Sequence, residues 1–419
     1  MDNGMYVGLD IGTTKVACII ATRGENGGLE VVGVGKCDSI GLRKGVMRNM
    51  LNIVESIQTA VKEAELMAGV DVEDVWVGIA GDTIRALNST GSVAMTHEDR
   101  EIRQEDIDRA IDIAKTVQIQ EAYEQLHVIP QEFSVDNLNG IKQPLGMIGV
   151  RLETQVHIIT AQTTSIQNIT KCVKDAGLRL NKLVLDHLAS SYAVLDKDEK
   201  ELGVALIDIG GGTSNIAIYH DDNIRHTSIV KEGGEDVTRD ISIVLKTPPA
   251  EAEKIKKSHG CAYLPLLRGG DDESLTVQMT GGRDDREIKR SLLVEVIEAR
   301  MDELLGLARQ DMEKSGLLSQ IGAGVVLTGG GSQMPGMREK AESVFHMPVR
   351  IGAPQKFGGL VDMAKAPMFA TGVGLCMFGA ETAHASGGHH KSGKKKSSGG
   401  DGGYGNIIKK VSSWFSKYF

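Results

Sequence analysis

Apolar positions along this chain follow two rhythms. Short continuous runs, at Met5–Leu9, Val75–Ala80, Leu126–Val135, Val156–Ala161, Gly203–Ile209, Asn215–Tyr219 and Val325–Leu327, read as half-buried or buried strands. Between them lie stretches with helical spacing. Val46–Met67 places Val46, Met50, Ile53, Val54, Ile57 and Val61 on one stripe. Gln104–Ala114, Thr163–Ala176, Pro249–Ser258 and Leu292–Gln310 repeat the pattern, and Pro335 is expected to open another helix. Leu183–Leu185 reads as a strand leading directly into a helix at Asp186-His187. Strands alternating with helices predict an α/β fold with helices packed on sheets.

The polar interruptions carry the chemistry. Gly203–His220 holds a buried strand with Asp208 near its end, then Gly210-Gly211-Gly212-Thr213-Ser214 and a β-rich return. Successive glycines let several N–H groups face one side as an anion-binding nest. Thr213 and Ser214 add hydroxyl donors, and Asp208 a carboxylate able to hold a hydrated divalent ion. This is not a Walker loop, because no Gly-Lys-Ser/Thr follows and the turn runs into a strand. A second copy stands near the N-terminus, where Asp10-Ile11-Gly12-Thr13-Thr14-Lys15 separates two apolar runs, offset by 198 residues from Asp208. A duplication on this scale predicts two related lobes offering paired hairpins to one polyphosphate. A third strand ends in Thr328-Gly329-Gly330-Gly331-Ser332.

These three turns resemble the two phosphate motifs and the adenosine motif of the actin, Hsp70 and sugar-kinase superfamily. Over nearly the whole chain the sequence resembles one branch of it, the FtsA family of bacterial cell-division proteins. His127-Val-Ile-Pro-Gln-Glu-Phe, Gly140-Ile-Lys-Gln-Pro-Leu-Gly and His259-Gly-Cys-Ala carry that closer likeness. The resemblance implies an actin-like, two-lobed α/β ATPase fold with an inserted α/β subdomain in each lobe. Residues 1–83 and 161–195 are expected to form the first lobe, with 84–160 as its FtsA-type insert. Residues 196–229 and 308–382 are expected to form the second lobe, with 230–307 as its insert.

The resemblance also assigns roles. Gly12, Thr13, Thr14, Lys15, Gly210, Gly211, Gly212, Thr213, Gly233 and Gly234 are expected at the phosphates of ATP. Asp10 and Asp208 are expected to hold Mg2+ through water. Glu253, Lys257, Gly329, Gly330, Gly331 and Ser332 are expected at the adenosine, although Glu253 and Lys257 also suit an exposed ion pair one helical turn apart. Asp186 occupies the place where nucleotide-hydrolysing relatives carry Glu or Gln to orient water. Its shorter side chain implies at most slow ATPase activity.

Composition adds one further element. Apolar residues make up 41% and charged residues 25% of the 419, as in ordinary globular proteins; aromatics at 4% require aliphatic cores. Five scattered cysteines without a Cys-x-x-Cys pair predict reduced thiols. No apolar run approaches the ~18 residues of a membrane span, and there is no signal-peptide pattern. The net charge of −9 is uneven. From His384 onward seven lysines face one aspartate, so this end carries +6 and the rest −15.

Residues 383–405 turn to Ser, Gly, His and Lys and are expected to be a flexible linker. In 406–419, Ile407, Ile408, Val411, Trp414, Phe415 and Phe419 fall, with Tyr418, within an arc of about 140° of a helix. Lys409, Lys410 and Lys417 take the other side. Such a helix reaches ~22 Å, too short to span a bilayer and suited to lying in its interface. The FtsA resemblance, taken with this tail, implies an ATP-binding scaffold, peripheral to the cytoplasmic face of the inner membrane at the division site. By the FtsA resemblance it self-associates into a polymer, tethers FtsZ filaments and recruits later division proteins, with no nucleic-acid partner. The alternatives are a small-molecule kinase or a chaperone-type ATPase of the same superfamily.

Overall fold

In a computed structural model, residues 4–24, 26–267, 272–281 and 284–386 are described. The expected linker from residue 387 and the amphipathic helix 406–419, with Ile407, Ile408, Lys409, Lys410, Val411, Trp414, Phe415, Lys417 and Phe419, lie outside the described residues. Among the described residues no helix is long and apolar enough to cross a membrane.

The first lobe starts as antiparallel β1 (Met5–Ile11) and β2 (Lys15–Arg23), with Asp10 opposite Ala17, followed by β3 (Leu29–Asp38) against β2. A small hairpin, β4 (Leu42–Arg43) and β5 (Val46–Met47), precedes α1 (Met50–Ala68). The helical spacing begins at Val46, but Val46 and Met47 pair with Arg43 and Leu42 instead. The helix starts only where the Asn49 side chain accepts the Asn52 N–H at 3.3 Å, satisfying a donor that has no partner within the helix. β6 (Asp74–Ile79) then lies parallel to β1.

The insert follows as β7 (Ile84–Ala94), α2 (Gln104–Lys115), β8 (Tyr123–Val135), β9 (Leu138–Ile141) and β10 (Arg151–Gln162). Its antiparallel sheet, in the order β7-β10-β8-β9, is covered by α2 over a separate core that includes Ile107, Ile111, Phe133 and Leu152. After α3 (Thr163–Asp175), β11 (Arg179–Leu185) returns beside β6 in the first lobe and leads straight into α4 (Asp186–Val194), then α5 (Lys197–Leu202).

The second lobe repeats the pattern. β12 (Val204–Ile209), β13 (Ser214–His220) and β14 (Asn223–Val230) are antiparallel. Next come α6 (Gly234–Leu245), α7 (Pro249–His259), the hairpin β15 (Ser274–Val277) and β16 (Arg286–Lys289), and α8 (Arg290–Lys314). β17 (Val325–Thr328), α9 (Met337–Phe345) and β18 (Val349–Ile351) complete the second sheet. The helix expected to open at Pro335 begins at Met337, because Gly336, at φ +76°, takes the N-cap position. α8 runs unbroken through residues 307–308, where the sequence reading divides insert from lobe.

The two sheets share one order. The second is β14-β13-β12-β17-β18, and the first is β3-β2-β1-β6-β11, each with three antiparallel strands and two parallel ones. The duplication legible at two turns therefore extends to whole sheets. The added segments differ in position. In the first lobe the insert enters between the fourth and fifth strands, and in the second between the third and fourth. β19 (Phe357–Gly359) crosses back to pair with β3, then α10 (Val361–Ala364) leads to α11 (Ala370–Ser386). α11 continues past residue 383, where the sequence reading starts the linker. α11 and α4 pack so closely that a Cβ at Gly374 would lie 1.9 Å from the Ala189 carbonyl oxygen.

Candidate functional site

The two acidic turns have matching geometry. The Gly12 N–H donates to the Lys15 carbonyl at 2.9 Å, and the Gly210 N–H to the Thr213 carbonyl at 2.9 Å. Each turn closes an antiparallel pair whose first strand places an aspartate two residues before the glycine. Both turns face one cleft between the lobes. Asp10, Asp186 and Asp208 line this cleft of about 210 Å3 together with Gly12–Lys15, Gly210, Thr213, Gly329 and Gly330.

The carboxylates are held differently. Asp10 pairs with the Lys15 ammonium. Asp208 accepts from Ser190 Oγ of α4 at 2.6 Å and from Thr371 Oγ1 of α11 at 3.3 Å. Burial pushes its pKa above the ordinary carboxylate value, while the Ser190 hydrogen bond pulls it back and Asp10 raises it again. Asp186, the first residue of α4, has a buried Oδ1 with no hydrogen-bond partner. Burial, then the charges of Asp10 and Asp208, raise its pKa well above the usual range. A Cβ at Gly78 would lie 2.3 Å from that Oδ1, so any larger residue there on β6 would have to displace the carboxyl from its present position. Carboxylates gathered around one cleft are an all-oxygen set, the kind that suits a hard divalent cation. Among the described residues no group of three His, Cys, Asp or Glu side chains is placed to hold a metal directly.

The lobes also touch across the mouth of the cleft. The β4–β5 hairpin reaches from the first lobe and donates its Gly45 N–H to Thr13 Oγ1 at 3.2 Å. Lys44, at the hairpin tip, pairs with Asp236 of α6 at 3.1 Å and donates to the Lys231 carbonyl at 2.9 Å. Lys231 in turn pairs with Asp82 of the first lobe at 3.2 Å. A Cβ on Gly212 would stand 2.7 Å from Thr13 Oγ1 and 2.8 Å from Lys44 Cα. One on Gly211 would stand 2.5 Å from Thr14 Cγ2. Contact between turns so distant in sequence depends on the absence of side chains at these glycines.

The remaining expected residues divide. Gly233 and Gly234 support the second turn from behind: the N–H groups of Gly234 and Glu235 donate to Gly210 and Gly211 carbonyls at 3.0 and 2.8 Å. Of the adenosine set, Gly329 and Gly330 line the cleft, Gly331 packs on Ile209, and the Ser332 hydroxyl is used by the Gly329 carbonyl at 2.8 Å. Glu253 and Lys257 do not line the cleft. Glu253 is engaged by Thr238, Lys256 and Lys257, the last at 3.1 Å. Sequence reasoning missed Gly78, Lys44, Ser190 and Thr371. A hydroxyl within an apolar helix, as at Ser190 and Thr371, is the signal that would have found two of them.

The family model "Cell division protein FtsA" matches residues 205–374, and "SHS2 domain inserted in FTSA" matches residues 81–160. Cell division protein FtsA of Pseudomonas aeruginosa is 47% identical over 377 residues, covering 90% of this chain and 89% of the relative. That of Escherichia coli K12 is 40% identical over 425 residues, covering 100% and 99%. Among solved structures, the PilM-PilN type IV pilus biogenesis complex superposes with TM-score 0.64 at 15% identity, covering 90% of this chain and 98% of that one. MreB5 of Spiroplasma citri bound to ADP gives 0.54 at 14% identity, covering 89% and 95%. The structural likenesses establish an actin-like fold. The full-length identities go further: this chain belongs to the FtsA family of cell division proteins.

Proposed function

We propose that the chain is a nucleotide-clamped scaffold of the division apparatus. ATP bridges the two Asp-Ile-Gly turns, with its phosphates on the turn N–H groups and hydroxyls and its adenosine toward Gly329 and Gly330. Mg2+, held through water by Asp10 and Asp208, supplies positive charge against the phosphates. Lys15 adds a second cation. Asp186 faces the same space as the water-positioning group. Its short side chain supports slow hydrolysis at most. Bound nucleotide fixes one lobe angle and so one self-association surface.

In this reading the subunits polymerise on the cytoplasmic face of the inner membrane, held there by residues 406–419. They tether FtsZ filaments and recruit later division proteins. Each tail binds reversibly, and an array of linked subunits binds far more tightly because later tails attach at high effective concentration. The observation that carries the nucleotide reading is the meeting of two turns 198 residues apart around one cleft shared by Asp10, Asp186 and Asp208.

Calorimetric titration with ATP and Mg2+ tests it. Asp208→Ala and Gly211→Val are expected to abolish binding, and unchanged affinity in both refutes the site. The membrane role is tested by sedimentation with anionic liposomes and ATP, comparing the full chain with one ending at Ser386. Equal pelleting of both would remove it.

A further inference from the structure

Asp208 belongs to the sheet of the second lobe, but the hydroxyls that hold it come from helices packed with the first. Ser190 is on α4, which follows β11 directly. Thr371 is on α11, where the next residue, Gly372, presses so closely on β1 that a Cβ at Gly8 would lie 2.2 Å from its carbonyl oxygen. Ser190 is fully buried, and Thr371 and Asp208 are nearly so.

The three side chains form a triangle of oxygens. Ser190 Oγ lies 2.6 Å from Asp208 Oδ2, Thr371 Oγ1 lies 3.3 Å from the same oxygen, and the two hydroxyls are 3.0 Å apart. Both donors therefore converge on Oδ2. The other carboxylate oxygen, Oδ1, stands beside the cleft-lining turn, 2.3 Å from where a Cβ of Gly329 would be.

Ser190 has one proton and two acceptors for it. The alternative to Asp208 is the Asp186 carbonyl, one turn back in α4, at 3.0 Å. Letting go of Asp208 thus leaves the buried hydroxyl with a partner, and the penalty of an orphaned donor does not arise. A contact between lobes that can be exchanged for one within a helix is suited to being made and broken as the lobes move. Asp186 and Ser190 stand four apart on one short helix, so the orphaned Asp186 carboxyl and the grip on Asp208 move as one body.

We infer that Ser190, assisted by Thr371, is a positioning residue for Asp208: the pair pins Oδ2 across the lobe boundary and leaves Oδ1 for the water shell of a divalent cation. The inference deepens the nucleotide reading and rests on it. A carboxylate already fixed in orientation loses less freedom when it takes up the hydrated ion than one free to rotate. Hydroxyl donors also favour its charged form, the form the ion needs. The turn N–H groups expected at the phosphates belong to other residues, so the pair acts on the ion and leaves contacts to the nucleotide itself in place.

The test follows binding of a fluorescent ATP analogue to the full chain by anisotropy as free Mg2+ is raised with MgCl2. Ser190→Ala is expected to raise the half-maximal Mg2+ concentration about tenfold, with the same binding at saturating Mg2+. Thr371→Val keeps the shape without the hydroxyl and is expected to raise it about threefold, while Thr371→Ser, which keeps the hydroxyl, matches the parent. A thermal melt without nucleotide checks each fold; if Ser190→Ala does not fold, the Thr371 pair decides. A Mg2+ midpoint for Ser190→Ala within about twofold of the parent overturns the positioning role and leaves the nucleotide reading standing. Thr371→Ser as impaired as Thr371→Val, or parent binding that does not depend on Mg2+, also overturns it. A parent chain that fails to bind the analogue at any Mg2+ concentration overturns the nucleotide reading and this role together.

Discussion

Gly212→Ala isolates the contact between the lobes. The added methyl would lie 2.8 Å from Lys44 Cα and 3.0 Å from Lys44 N, both backbone atoms that no side-chain rotation can move. It would also lie 2.7 Å from Thr13 Oγ1. Overpacking of this kind costs about 1–3 kcal/mol. The overlap is between the lobes, so it is relieved by opening the cleft and need not unfold either core. In the proposed nucleotide clamp the cost falls on the closed state, and ATP binding is expected to weaken by about 5–150-fold. Calorimetric titration measures the affinity, and a thermal melt without nucleotide separates this effect from unfolding. Gly330→Ala is the companion variant, because a methyl there meets nothing within 4 Å and leaves lobe closure untouched. Gly330 lines the cleft, so any loss of affinity there reports space used by the ligand. Gly212→Ala protein that binds ATP within about twofold of the parent would refute closure across this contact.

Three further outcomes are expected. Asp186→Asn should raise the melting temperature of the nucleotide-free chain, since burial and the charges of Asp10 and Asp208 disfavour its ionised form; a lowered melting temperature contradicts this. Lys44→Ala removes the ties to Asp236 and the Lys231 carbonyl and should speed release of a fluorescent ATP analogue several-fold in stopped flow; an unchanged rate rules out the hairpin as a strap. His127, His157 and His187 are each held down to about 3 by burial, so their folded-state pKa lies below the unfolded 6.5. Their contribution is present above pH 6.5 and lost as pH falls toward 3, at up to about 4 kcal/mol per pH unit for the three together. The raised pKa values of Asp186 and Asp208 act in the opposite sense in acid. Urea midpoints between pH 7 and 4.5 should show the loss, and His157→Gln should reduce its slope; a flat profile contradicts it.

The chemistry-bearing turns were legible because backbone conformation leaves a local record. An aspartate at a strand end followed by glycines and hydroxyls reads the same wherever the chain takes it, and 198 residues of separation do not blur the copy. The FtsA-type insert was legible in the same local way, from its own phrases and its own core. Element ends were less so. Val46 and Met47 carry helical spacing, yet strand pairing with Leu42 and Arg43 and the Asn49 cap decide where α1 starts.

Contacts across the cleft belonged to the tertiary structure. Ser190 and Thr371 sit in helices 18 and 163 residues from Asp208, and only the packing of α4 against α11 brings both hydroxyls onto that carboxylate. Lys44 looks like any surface lysine until the hairpin turns it onto Asp236. Glu253 and Lys257 show the converse: correct helical spacing, but side chains engaged with their own helix and with Thr238 rather than the cleft. Spacing along a chain specifies which groups share an element's face. Which face meets which depends on long-range packing, so the motifs were settled locally and the clamp they form only by the fold.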